Sequence, residues 1–149
     1  MPVVRGCNLP DDLLYDVENN IWYRENPDGT MVLGMTAVAA AMAGPLVAFT
    51  PKKAGRPVSE GKSCATVESG KWVGPAKIAF DAEVLETNDE LVANPKLASS
   101  DPYGAGWMAK VKPADWAAAK AQLMPGTAVA APYEAKMAAD SFKGCEAAA

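Results

Sequence analysis

The chemistry open to this chain is narrowed first by a residue it lacks. None of the 149 residues is histidine, which removes Ser-His-Asp and Cys-His nucleophiles, imidazole general bases and His-containing zinc sites. Cys7, Cys64 and Cys145 are far apart and form no C-x-x-C, which argues against a zinc ribbon or a thioredoxin-like motif. No metal site is expected. Gly55 to Gly61-Lys62-Ser63 imitates a phosphate-binding loop, but that motif has about four residues between its glycines and opens a helix. Here the interval is longer and a strand follows, so Gly61-Lys62 reads as a turn. Glu83, Glu86, Asp89 and Glu90 would need different environments to act as acid and base, and a solvated strand end accounts for them. What remains is Lys71, at the end of Thr66-Val67-Glu68-Ser69-Gly70-Lys71. On its own it is a lysine at a hairpin tip, a common solubilising feature.

The elements that would hold Lys71 are mostly strands. Ile21-Trp22-Tyr23 and Met31-Val32-Leu33-Gly34 flank Asn26-Pro27-Asp28-Gly29, which predicts a hairpin. Thr36 can cap an Ala-rich helix over 37–43 that Gly44 and Pro45 end. Leu46 to Phe49 reads as a strand, and 54–62 as loop with a short extended piece. Ser63 to Ser69 and Trp72 to Phe80 form a second predicted hairpin with Lys71 at its tip. Ala82 to Thr87 is another strand, Asp89 to Leu97 a helical turn and bend, and Trp107 to Lys112 a closing strand. Beyond Pro113, Ala114 to Leu123 and Tyr133 to Phe142 read as helices separated by Pro125-Gly126 and Pro132. The expected organisation is therefore an N-terminal segment (1–14), a β domain (15–112) and a helical C-terminal extension (113–149).

Composition bounds the setting. With 14 basic and 18 acidic side chains the net charge is −4, and no basic cluster offers a footprint for nucleic acid. The longest apolar stretch, Ala37 to Phe49, is too short to span a bilayer. Met1 to Asp12 lacks the apolar stretch of a secretory signal. The expectation is a single domain without nucleic-acid or membrane partners, in the cytoplasm.

The lysine turn resembles the T/V-V-E-S-V-K hairpin of the lipoyl-carrying H-protein of the glycine cleavage system. Gly34-Met35-Thr36 with Gly44-x-Leu46-Val47 is similar to that family's G-I-T-D-Y-A…L-G-D-I-V, and Trp22 stands where the family has the Trp of H-E-W. Glu83 to Leu91, Asn94-Pro95-x-Leu97 and Asp101-Pro102-Tyr103-Gly104-x-Gly106-Trp107 resemble E-V-V-E-V-N-E-x-L…N-P-x-L…D-P-Y-G-x-G-W. The resemblance covers about Tyr15 to Lys112, with an echo around Tyr133. It implies a mainly β fold, a lipoyl/biotinyl-like sandwich or flattened barrel with short helices. It also implies a carrier, not an enzyme, with lipoate joined to Lys71 as a neutral amide. Glu68, Ser69, Gly70 and Trp72 would supply the turn and its recognition, and lipoate ligase or octanoyl/lipoyl transfer enzymes would modify it. The five-membered dithiolane cannot reach the relaxed disulfide dihedral, so a thiolate or a sulfur substrate opens it readily.

Departures from the family pattern suggest which branch this is. Asn20 replaces the histidine before Trp, Ala37-Val38 replaces Asp-Tyr, and Trp72-Val73-Gly74-Pro75 follows the lysine in place of small and acidic residues. All are expected on the lipoyl face. They resemble the lipoate-binding proteins of the heterodisulfide-reductase-like sulfur-oxidising system, which implies a shuttle for sulfur-bound intermediates. That complex is then the implied partner, with dihydrolipoamide dehydrogenase a further one. The alternatives are a glycine cleavage H-protein carrying the aminomethyl group, and an unmodified scaffold of the same fold. Cys64 reads as a small buried hydrophobe. Cys7 and Cys145 are expected as two separate surface thiols in a reducing cytoplasm. Only if the terminal helix folds back beside the N-terminus would they meet as a redox-active or bridged pair.

Overall fold

A computed structural model describes residues 3–145. In chain order the strands are β1 (Val3–Val4), β2 (Cys7–Asn8), β3 (Leu14–Asp16), β4 (Ile21–Glu25), β5 (Met31–Met35), β6 (Leu46–Pro51), β7 (Pro57–Val58), β8 (Ser63–Ser69), β9 (Val73–Lys77), β10 (Ala82–Thr87), β11 (Ala109–Pro113) and β12 (Met124–Pro125). The helices are α1 (Ala37–Ala43), α2 (Asp89–Ala93), α3 (Leu97–Ser100), α4 (Trp116–Ala121) and α5 (Ala130–Ala139). A seven-stranded sheet in the order β12-β3-β4-β5-β11-β10-β7 and a three-stranded sheet in the order β6-β8-β9 form the body, and β1-β2 is a separate hairpin. All the pairings are antiparallel. The fold is the expected flattened sandwich, and its sheets do not close into a barrel.

The local signals act where they were expected. Asp28 accepts the Thr30 amide at 3.1 Å and Gly29 takes φ 85°, closing the β4–β5 hairpin in register Glu25 to Met31. Thr36 accepts the Ala39 amide at 3.2 Å to start α1, and Gly44 ends the helix at φ 80°. Asn88 caps α2 in the same way and also donates to the carbonyls of Ala105 and Trp107 at 2.7 and 2.8 Å. Trp107 and Met108 precede β11, so the closing strand is shorter at its start than the alternation suggests.

Two cores fill the interior. The larger lies between the sheets and includes Tyr23, Leu33, Leu46, Val67, Ile78 and Val111. The second gathers Cys7, Leu9, Tyr15, Trp22, Val38 and Tyr133 under the chain ends. Trp22 explains much of the family-like pattern. Its indole lies over Gly34, opposite it in β5, where a Cβ would come within 2.8 Å of the ring. Its N–H donates to the Pro102 carbonyl at 2.9 Å. The next residue, Tyr103, accepts the Ala37 amide through its hydroxyl at 2.9 Å, which fastens the Asp101-Pro102-Tyr103 turn to the start of α1.

The segment after Pro113 is less purely helical than its composition predicts. Met124–Pro125 pairs with Leu14 and Tyr15 as the outer strand of the large sheet. Buried Tyr133 on α5 meets Tyr15 edge-on with ring centroids 6.2 Å apart.

Candidate functional site

The β8–β9 hairpin pairs Glu68 with Val73 and projects Gly70 and Lys71 at its end. The turn is knotted by Ser69. Its amide donates to the Trp72 carbonyl at 2.7 Å, its hydroxyl reaches the same carbonyl at 3.4 Å, and its oxygen accepts the Lys71 amide at 3.4 Å. Ser69 is buried, while Glu68, Gly70, Lys71 and Trp72 are exposed. At Gly70 the backbone does not itself require glycine. Its φ is not positive, and a Cβ there would meet nothing within 4 Å.

Lys71 makes no side-chain hydrogen bond or ion pair among the described residues. Its stem passes over the C-terminal end of α1, where a Cβ on Gly44 would lie 3.6 Å from Cε. The lysine thus borders a cleft of about 650 Å³ between α1 and the hairpin. Met35, Ala39, Met42, Val67 and Trp72 supply most of its apolar wall, and Asn20 and Lys77 lie on its polar side. Asn20 adopts φ 58°, a conformation asparagine tolerates better than most residues. Its Oδ1 is buried without a hydrogen-bond partner among the described residues.

The cleft fits a lysine-linked lipoyl arm. It opens beside an unengaged amine, it is apolar enough for a hydrocarbon chain, and it retains an orphaned acceptor. Lys71 would hold the group, with Met35, Met42, Trp72 and Asn20 around it. Of the departures expected on this face, Asn20, Trp72 and Pro75 line the cleft. Ala37 and Val38 do not: Val38 is 1% exposed, and both belong to the second core. Helical periodicity puts Ala37 opposite the face that 39, 42 and 43 present, and Val38, at the margin of that face, is taken up by the second core.

The cysteines differ more sharply from expectation. Cys7 and Cys145 are joined by a disulfide with Cα atoms 5.0 Å apart, so they are not separate surface thiols. The turn between β1 and β2 is Arg5-Gly6 with both φ positive, the geometry of a two-residue hairpin, and the tail lies against it. The Cys145 amide donates to the Arg5 carbonyl at 2.9 Å, Arg5 donates to the Phe142 carbonyl at 2.7 Å, and its guanidinium pairs with Glu134 at 2.6 Å. That ion pair holds the Glu134 carboxyl below its ordinary range. Only distant contacts decide this meeting: the tail does fold back beside the N-terminal segment, the condition on which a bridged pair is expected. Cys64 is buried as expected, and burial pushes its thiol up to about 12.

Among the described residues no group of three or more His, Cys, Asp or Glu could hold a metal, and no helix is long and apolar enough to cross a membrane. Glu86 faces Lys110 at 3.8 Å, and Asp89 and Glu90 lie in the first turn of α2, so the carboxylate run has ordinary structural partners. Comparison with known proteins places this geometry. The family model described as glycine cleavage H-protein matches residues 13–136. A protein of Aquifex aeolicus named glycine cleavage system H protein 5 is 53% identical over 128 residues, 83% of this chain and 86% of that one. A probable glycine cleavage system H protein 2 of Sulfurisphaera tokodaii is 40% identical over 114 residues, 75% and 77% of the two chains. The crystal structure of a glycine cleavage system H protein from Mycobacterium marinum superposes with a TM-score of 0.73 at 30% identity, covering 87% of this chain and 98% of that one.

Proposed function

Because the chain belongs to the glycine cleavage H-protein family, we propose that it is a carrier whose Lys71 is the lipoyl attachment site. Members of this family are carriers and not enzymes, and they hold lipoate covalently on a lysine. The single observation supporting the choice of lysine is placement: Lys71 stands unpaired at a hairpin tip, on the rim of a cleft that suits the arm. When bound, the group supplies a strained cyclic disulfide that nucleophiles open. The protein supplies the rest. Ser69 fixes the turn so that the amine projects, and the rigid three-stranded sheet gives modifying and client enzymes a constant point of approach. Residues 15–112 are proposed as the unit that does this, with 113–149 as an extension.

The names of the relatives favour the aminomethyl group of glycine cleavage as cargo, with the enzymes of that system and lipoate ligase or octanoyl/lipoyl transfer enzymes as partners. A second reading keeps the carrier but changes the client to a heterodisulfide-reductase-like complex and the cargo to sulfur-bound intermediates. Asn20 and Trp72 on the cleft favour it, because altered residues at a recognition face reject one partner while admitting another. Dihydrolipoamide dehydrogenase is a proposed partner under either reading. The proposed address is the cytoplasm, although the Cys7–Cys145 bridge runs against its reducing poise.

Co-expression with a lipoate ligase, followed by intact mass and peptide mapping, tests the assignment. One lipoyl group on Lys71, absent from Lys71→Arg, is the expected result. Modification of Lys71→Arg at another lysine would refute the site, and an unmodified wild type would leave the scaffold reading. Glycine–bicarbonate exchange with a glycine decarboxylase then separates the clients: exchange at the rate of an authentic H-protein supports the first, and its absence the second.

A further inference from the structure

Two glycines frame the lysine, and one of them leaves room that a neighbouring side chain fills. Gly44 lies under the Lys71 stem. Gly74, in β9, lies under Trp72. A Cβ at Gly74 would stand 2.9 Å from both Cε2 and Cη2 of the indole and closer still to Cζ2, a separation that forces the ring to move. Yet Gly74 does not have a positive φ, so its backbone conformation does not require glycine. What the missing Cβ permits is the position of the Trp72 ring.

That position is unusual for a tryptophan. Trp22 is fully buried, whereas Trp72 is 44% exposed, with no ring N–H hydrogen bond among the described residues. Its ring nevertheless packs over the Gly74 backbone, and it lines the cleft together with Met42 and Lys71. With Met42, itself 37% exposed on the same cleft, it makes an exposed apolar patch beside Lys71 of the kind that marks a binding groove. Aromatic rings make favourable contacts with divalent sulfur.

We propose that Trp72, held over Gly74, is a positioning residue for the arm on Lys71, packing against its sulfur-bearing end and limiting attack on those sulfurs. The inference rests on the reading that Lys71 is lipoylated and says in addition which side chain governs the arm's exposure. Gly74→Ala is the informative lever, because it keeps the tryptophan and displaces only its ring.

The test uses full-length protein carrying lipoate. After mild reduction, the rate at which iodoacetamide alkylates the arm is followed on the Lys71 peptide by mass spectrometry, which separates it from the three cysteines. Trp72→Ala and Gly74→Ala should each raise that rate about threefold or more, the size of one sulfur–aromatic contact, and Trp72→Phe should restore most of the protection. In parallel, lipoylation should change the tryptophan emission of the wild type and leave that of Trp72→Phe unchanged. Equal alkylation rates in the wild type, Trp72→Ala and Gly74→Ala, with lipoate confirmed on Lys71, would overturn the inference and spare the carrier reading. An unmodified Lys71 peptide would overturn both. Trp72→Phe keeps the test intact if Trp72→Ala does not fold.

Discussion

The hairpin that carries Lys71 and the cluster where the chain ends meet are built on opposite plans. At the ends, a disulfide, an ion pair and two backbone-directed hydrogen bonds tie the β1–β2 turn to α5 and the tail. At the hairpin, the lysine has no partner among the described residues and Ser69 supplies the turn's side-chain hydrogen bonds. The helix α1 connects them. Its first residue sets its carbonyl 3.5 Å from the bridged Cys145 sulfur and gives its amide to the Tyr103 hydroxyl, while its last turn borders the cleft. A carrier needs an arm free to leave the surface and a base that does not yield when partners bind. The cross-links are accordingly spent away from the working end.

Cutting the bridge should have the largest effect. The disulfide spans 138 residues, so loop entropy alone assigns it about 5 kcal/mol. Cys145→Ser should lower stability by an amount approaching that figure in denaturant titration, with the hairpin's modification by lipoate ligase retained. If stability is unchanged, the ends are not what anchors α1. Thiol counting belongs to the same comparison: the unfolded, unreduced protein should show one free thiol, Cys64, and three would refute the bridge.

Next is the body between the two regions. Gly34→Ala drives a methyl into the Trp22 ring and should cost about 1–3 kcal/mol by overpacking, read as a lowered Tm. A smaller effect is expected from pH at the chain ends. Arg5 bonds the Glu134 carboxylate and lowers its pKa below the ordinary value, so the pair adds stability above the unfolded-state pKa and loses it as pH falls through the folded one. Wild type should therefore lose part of its Tm advantage over Glu134→Gln on acidification below the ordinary carboxylate range. An advantage independent of pH would remove the ion pair from the account. Smallest of all, Lys71→Arg should leave Tm unchanged while abolishing lipoylation, since the side chain supports nothing in the fold. A substantial Tm loss would mean that the hairpin is part of the framework.

Much of this was legible in the residues because the signals are local. Asn-Pro-Asp-Gly makes its turn, Thr36 and Gly44 bound their helix, and alternation around Lys71 makes a hairpin whichever way the rest of the chain folds. The family pattern added the reason that Trp22, Gly34 and Asp101 to Trp107 occur together, and the structure supplies its physical basis in one ring, one missing Cβ and one carbonyl.

What sequence could not determine depends on contacts between distant parts. Ala37 and Val38 occupy the family positions expected at the lipoyl face, yet they turn inward because the second core takes that side of α1. Met124–Pro125 becomes a strand only because β3 leaves an edge to pair with, and Cys7 meets Cys145 only because the tail returns to the Arg5-Gly6 turn. Trp72 reads in sequence as one of four tryptophans, on the face where the lipoyl arm is expected, and its setting across Gly74 and beside the cleft becomes visible only in the folded chain. The sequence by itself determined most of the central strands, the turns and the lysine at the tip, since hydrogen bonding and backbone sterics act over a few residues. The tertiary structure decided the cleft, the bridge and the face each side chain presents, since those are set by which surfaces exclude water together.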